Sequence, residues 1–365
     1  MNKKYFYIAS CGPADVDNPH ILSSSIDITN KDKSIGGIYT CYTNNSSNGF
    51  EFESFFPWPE ITFLHLSKSG KYLFVTCNLD GTPSVASFAV ENGKSLKYLS
   101  SMPVNGSSPC YLETNEDETF LYSANYFSGN LTEFAIKDGI IEKQIKQITH
   151  HGSGPNLPRQ DNAHIHYVYF TPDKKYLAIV DLGLDAVYCY KFDKTNGIDT
   201  VPYSKFSTDP GDGPRHLEFN TKGDRAYLIN ELGNTVFALK YHDGNFERIS
   251  KQSCIPNNFN GVSTAAAIRL SEDERFLMAS SRGTNTVAVY KVENNGDITL
   301  QDIENSGYPR PRDIQFLPDD KGFATCNEDG KVCFFNFNKD NGQLDKIDFE
   351  IETIRPLYLL NPDLR

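Results

Sequence analysis

The stretch Phe170-Thr-Pro-Asp-Lys-Lys-Tyr-Leu-Ala-Ile-Val-Asp181 decides the fold. An apolar strand end, a polar turn containing Pro and Asp, and a short apolar strand closing on an acid read as a tight hairpin. The same phrase returns as Phe219-Asn-Thr-Lys-Gly-Asp-Arg-Ala-Tyr-Leu-Ile-Asn-Glu231 and as Leu270-Ser-Glu-Asp-Glu-Arg-Phe-Leu-Met-Ala-Ser-Ser-Arg282. Further copies are centred on Leu73, Leu121 and Phe323, and a partial one opens the chain around Phe6. The spacing is about fifty residues, a period that belongs to propellers and solenoids. The first interval is longer and contains the polar stretch from Pro13 to Lys33, which reads as an inserted loop.

Each hairpin continues into a third strand, such as Thr286-Val-Ala-Val-Tyr290, and pairs such as Asn196-Gly197, Asn295-Gly296 and Asn341-Gly342 turn the chain into a fourth. Four short antiparallel strands repeated seven times predict an all-β, seven-bladed β-propeller spanning residues 1–365 as one domain. The N-terminal copy lacks an innermost strand, and Pro356-Leu-Tyr-Leu-Leu-Asn-Pro362 supplies one. The C-terminal strand is therefore expected to join the N-terminal blade and close the ring, leaving no open sheet edge.

Lys plus Arg number 35 against 47 Asp plus Glu, a net charge of −12. Such a chain repels phosphate backbones and anionic bilayers, so neither nucleic acid nor a membrane is an expected partner. No apolar run is long enough to span a bilayer, and Tyr5 to Ala9 is too short for an export signal. The eight cysteines include no Cys-x-x-Cys pair and mostly sit inside apolar runs, as reduced, buried thiols of a cytoplasmic protein do. A closed ring needs no partner to cover its edges, so a monomer or weak homodimer is expected.

Function is expected at one mouth of the central channel, where residues opening the first strand of each blade meet residues ending the second. The first group is Cys110, His166, Arg215, Ala266 and Arg312; the second is Asn78, Asn125, Asp181, Glu231, Arg282 and Asn327. Asn and Asp at such ends commonly cap turn backbone, and Arg215 with Glu231 can serve as a salt bridge between blades. Three arginines at one opening of an acidic protein nonetheless make a local anion site, suited to carboxylate or phosphate. His164 and His166 alternate along a strand, so only one faces the channel, and no ligand set for a metal is expected. Just before them lies His150-His-Gly-Ser-Gly-Pro-Asn-Leu-Pro-Arg-Gln160, whose Asn156, Arg159 and Gln160 can wrap a polar ligand.

These segments resemble the propeller lactonase family, which comprises bacterial 6-phosphogluconolactonases and carboxymuconate-lactonizing enzymes. Gly152-Ser-Gly-Pro-Asn156 with Arg159-Gln160 and His164-Ile-His166, Gly213-Pro-Arg-His216 with Asn230-Glu-Leu232, Ser281-Arg-Gly283, and Pro311-Arg312 with Asn327 follow the family's order, one match per blade. The resemblance implies His166, Arg215, Glu231 and Arg282 as active-site residues. It also implies a small anionic lactone as substrate and chemistry that uses no metal or cofactor. The glycine-rich loop favours the hydrolase branch, 6-phosphogluconolactone to 6-phosphogluconate in the pentose phosphate pathway. One departure is Ala267, where the family carries an acid before the Ile.

Lactone hydrolysis needs a water, a base and an oxyanion partner. Glu231 or His166 is expected as the base, with Arg215 and Arg282 at the oxyanion. Arg159 or Arg312 would hold the remote anion, with Asn156, Gln160, His164 and Asn327 around the substrate. The competing expectations are a carboxymuconate-type cycloisomerase using the same His and Glu, and a non-catalytic scaffold.

Overall fold

Each copy of the repeat folds into its own antiparallel sheet, and seven sheets stand around a central channel. The computed structural model describes residues 3–13, 35–43, 50–92, 94–318 and 322–362; all but the first residue of the proposed Pro13–Lys33 loop lies outside these. Blade 1 is built from Lys4–Ser10, Gly37–Thr43 and Phe50–Pro57, with Pro356–Leu360 as its innermost strand. Tyr7, Ile8 and Ala9 pair with Leu360, Leu359 and Tyr358, so the two chain ends close the ring as the sequence predicts. Blade 4 departs from the simple repeat. The Asn196-Gly197 turn leads only into the two-residue strand Gly197–Ile198, and Ser204–Ser207 then supplies the outer strand. Among the described residues no helix is long and apolar enough to cross a membrane.

Alternation along the inner strands sorts side chains between the packing of neighbouring blades and the channel. Leu64, Leu112, Val168, Leu217 and Ile314 are fully buried between blades. Their neighbours line the channel, where Tyr358, Phe63, Tyr111 and Tyr167 form a collar. Ring centroids in this collar lie 4.2 Å apart for Phe63–Tyr358, 3.9 Å for Phe63–Tyr111 and 4.2 Å for Tyr111–Tyr167. His216 continues the collar 5.3 Å from Tyr167.

One irregularity recurs at the same place. In blades 1, 3, 4, 5, 6 and 7 the inner strand carries an extra residue near its start, opposite the end of the second strand. In blade 5, Pro214 pairs with Asn230 and His216 with Ile229, so Arg215 is left unpaired. Cys110, His166, Ala266, Arg312 and Leu357 occupy the corresponding positions. A bulge of this kind re-aims a side chain, and here it presents one residue per blade to the mouth of the channel. The mouth residues thus lie inside the first strand, at its bulge, rather than ahead of it.

Candidate functional site

Glu231 stands at the centre of the mouth. It follows the second strand of blade 5 and is nearly buried. Its Oε2 lies 3.0 Å from Arg215 Nε in the same blade and 3.0 Å from Arg282 Nη2 in the next, and its Oε1 lies 2.5 Å from Arg159 Nη2. Burial alone would raise this carboxyl. The charges of Arg282, Arg215 and Arg159 outweigh it and hold Glu231 well below the usual carboxylate range.

A second carboxylate repeats the arrangement two blades on. Glu328 Oε1 lies 3.2 Å from Arg312 Nη1 and 3.6 Å from Arg282 Nη1, while its Oε2 lies 2.7 Å from Arg310 Nη2. Burial opposes its ionisation, but Arg312 and Arg282 bring it down to about 2. Five guanidinium groups therefore share two carboxylates, with Arg282 bridging both. The excess is positive, in a protein whose overall charge is strongly negative.

His166 completes the group from the bulge of blade 4. It is buried, its Nδ1 has no hydrogen-bond partner, and its ring lies edge-on 5.5 Å from Tyr126 and 5.4 Å from His216. Burial and then the Arg215 charge hold it well below its ordinary value, so the imidazole is neutral at neutral pH. Two more polar atoms of the mouth, Arg215 Nε and Arg282 Nε, are buried without a directed hydrogen bond. Arg215 is fixed by Nη1 donating to the Ala266 carbonyl at 2.6 Å. Cys110 faces the same mouth, but burial pushes its thiol up to about 12, which removes it as a nucleophile.

The glycine-rich loop positions Arg159 through its other polar residues. Gln160 is fully buried; its Nε2 donates to Leu182 O at 2.9 Å and to Asp185 Oδ1 at 2.8 Å, and its Oε1 accepts the Asn156 N–H at 3.1 Å. Asp185 in turn accepts the N–H groups of Gly211 and Gly213, tying the loop to the start of blade 5. Gly154 has to be glycine, since a Cβ there would come within 2.6 Å of Gln160. His164 stacks on Tyr126, with centroids 4.4 Å apart, and its Nδ1 lies 3.0 Å from the Tyr126 carbonyl. His150 bridges Asp181 at 2.7 Å and the Tyr190 hydroxyl at 3.0 Å.

Of the residues singled out from sequence, His166, Arg159, Arg215, Glu231, Arg282 and Arg312 come together. Gln160, His164 and the backbone of Asn156 instead build the loop. Asn327 lies one residue short of the mouth, its Nδ2 donating at 3.1 Å to Thr325 O and at 3.2 Å to Lys331 O. Asn125 likewise bonds Asn130 and Thr132, the capping role that Asn at a strand end suggests. The sequence reading missed Glu328, Arg310 and Tyr126. Its signal for Glu328 was present: Asn230-Glu231 and Asn327-Glu328 are the same pair at the same blade position. Among the described residues no three His, Cys, Asp or Glu side chains group as metal ligands.

Comparison with known proteins agrees with this architecture. A 33% identical 6-phosphogluconolactonase of Bacillus subtilis aligns over 289 residues, 78% of this chain and 82% of its own. An uncharacterized protein of Staphylococcus aureus is 36% identical over 266 residues, 71% of this chain and 77% of that protein. The crystal structure of a putative 6-phosphogluconolactonase from Bacteroides fragilis superposes with a TM-score of 0.86 at 29% identity, covering 98% of this chain and 97% of that one. The family model described as lactonase, 7-bladed beta-propeller, matches residues 28–360, and the chain belongs to that family of lactone hydrolases.

Proposed function

We propose that the arginine mouth hydrolyses an anionic sugar lactone, with 6-phosphogluconolactone as the substrate. The relatives named for that activity support the substrate class, and the excess of guanidinium groups suits its phosphate and its product carboxylate. The observation that carries the mechanism is the contrast between Glu231 and His166. Both oxygens of Glu231 are committed to arginines, so it organises the cations and does not take a proton. His166 is neutral, and its Nδ1 is unpartnered.

In this reading His166 accepts a proton from water as the oxygen attacks the lactone carbonyl carbon. The imidazolium that forms is stabilised by the Glu231 carboxylate, and Arg282 faces the developing oxyanion. Collapse breaks the ring C–O bond, and His166 returns its proton to the departing ring oxygen, leaving a hydroxy acid. Arg159 and Arg312, at 38% and 25% of their side chains more exposed than Arg215 and Arg282, take the remote phosphate.

The test is the hydrolysis rate of freshly generated 6-phosphogluconolactone, corrected for spontaneous opening, in wild type and His166→Asn. A general base typically contributes about 10²–10⁴-fold, so His166→Asn should lose kcat by that order with its fold intact. Full activity in His166→Asn would remove it as the base. Absence of any wild-type acceleration would move the assignment to other lactones, and to the cycloisomerase reading with carboxymuconate as the next substrate to try.

A further inference from the structure

The other end of the channel carries a cavity of about 360 Å³, within the range of small-molecule sites. Its wall is the next channel-facing position along the inner strands. That register contributes His65, Glu113, Tyr169, Glu218, Arg269 and Gln315, one from each of blades 2 to 7. The aromatic collar is its floor, and Phe63, Tyr111 and Tyr167 present ring surface to it. None of the arginines or carboxylates of the arginine mouth lines it.

The charges in this cavity select against both kinds of ion. Arg269 Nη2 is committed to Asp313 at 2.8 Å and its guanidinium lies 5.9 Å from the Tyr358 ring, so the aromatic surface already has a cation beside it. Lys68 and Lys174 add positive charge at the rim. An anion, conversely, would meet Glu113, Glu116 and Glu218 in a confined space. The remaining partners suit hydroxyl groups. Gln315, which lines the cavity, has its amide fixed by Oε1 accepting the Phe316 N–H at 3.0 Å. Burial, offset in part by Arg269, pushes Glu218 up to about 7, where a carboxyl can both donate and accept. Aromatic faces matched to C–H surface, with carboxyl and amide groups around them, is the chemistry that binds a sugar ring.

We infer that this cavity binds a neutral polyhydroxylated molecule of monosaccharide size, independently of the arginine mouth and of the reaction assigned to it. The test titrates the full chain with D-glucose, D-galactose, D-mannose and D-ribose, and with D-gluconate and D-glucosamine as anionic and cationic counterparts. Binding is followed by calorimetry and ligand-observed NMR in wild type, Glu218→Gln, Tyr169→Ala and Arg215→Ala. At least one neutral sugar should bind saturably, equally in wild type and Arg215→Ala, and roughly tenfold more weakly in Glu218→Gln and Tyr169→Ala. Lactone hydrolysis in Glu218→Gln should match wild type. Failure of all four neutral sugars to bind overturns the inference. So does a preference for glucosamine or gluconate that survives in Arg215→Ala, or sugar binding lost in Arg215→Ala but kept in Glu218→Gln. Glu218→Gln is nearly isosteric, so the result stands even if Tyr169→Ala does not fold.

Discussion

The two mouths of the channel are lined by the same inner strands, yet they are chemical opposites. At one end the bulge presents His166, Arg215 and Arg312, and residues at or just past the ends of the second strands add Glu231, Arg282 and Glu328. At the other end the pairing is regular, and the same strands offer Glu113, Tyr169 and Glu218. In the first, carboxylates serve as counter-ions inside an excess of arginine. In the second, the one buried arginine is neutralised by Asp313 and the carboxylates face a cavity. The repeat thus fixes where side chains stand, while a single extra residue and the local choice of charge decide what each ring of positions can bind.

The sharpest way to break this contrast is to remove the central counter-ion. Glu231→Gln leaves Arg159, Arg215 and Arg282 facing one another without the charge that all three share. Breaking a buried ion pair in this way typically costs about 3–5 kcal/mol. Chemical denaturation should show a loss of that size, together with a drop in hydrolysis of at least about a hundredfold, because Arg282 and the imidazolium both lose their partner. A variant as stable as wild type would mean that the arginines relax outward and that Glu231 is not their organiser.

Acid and base should separate the two mouths. At the arginine mouth the unfolded chain binds more protons than the folded one, because His166 and His216 sit well below 6.5 and Glu328 sits near 2 rather than 4.5. The contribution of these three groups is complete above 6.5. The histidines begin to withdraw it as pH falls through 6.5, and Glu328 follows between about 4.5 and about 2. Glu218 has the opposite sign. Raised to about 7, it retains in the fold a proton that the unfolded chain has released, so its contribution declines as pH rises from 4.5 to about 7. Glu218→Gln should therefore be more stable than wild type by about 3 kcal/mol at pH 8 and unchanged at pH 4, read from denaturant midpoints. No gain at pH 8 would mean that Arg269 holds Glu218 as a settled ion pair.

Most of the architecture was legible because strand alternation, turn residues and the repeat period all pointed to one answer, down to the closing strand at Pro356. The site was legible to within one residue. The sequence reading took Glu231 and Arg282 from the position that enters the mouth but Asn125, Asp181 and Asn327 from the position before it. A one-residue shift along a strand turns a side chain to the other face, and here it exchanged Glu328 for a buried cap. The bulge was invisible because it is a pairing defect, although Pro109, Pro214, Pro311 and Pro356 each stand immediately before a bulged residue. The second cavity escaped notice because none of its residues forms a motif. They converge only when six blades are superposed.

That one-residue shift supplies the finest comparison. Asn327 is fully buried and its Nδ2 holds Thr325 and Lys331 at the strand end, so Asn327→Ala should cost about 1–3 kcal/mol with kcat and KM unchanged. Glu328→Gln should also cost stability, because it removes the counter-ion of Arg312 and Arg282, but unlike the cap it reaches substrate binding. It frees Arg312 and Arg282 from one negative charge, which leaves more positive potential for an anionic substrate. KM for 6-phosphogluconolactone should fall by a small factor, of the order of two to five, and more so at low salt, since charges this close to solvent are screened. Product release should slow in step, because the carboxylate it carries is held by the same arginines. If Asn327→Ala instead raised KM and left stability alone, the cap and the mouth residue would exchange roles, and the register assigned to blade 7 would have to move by one.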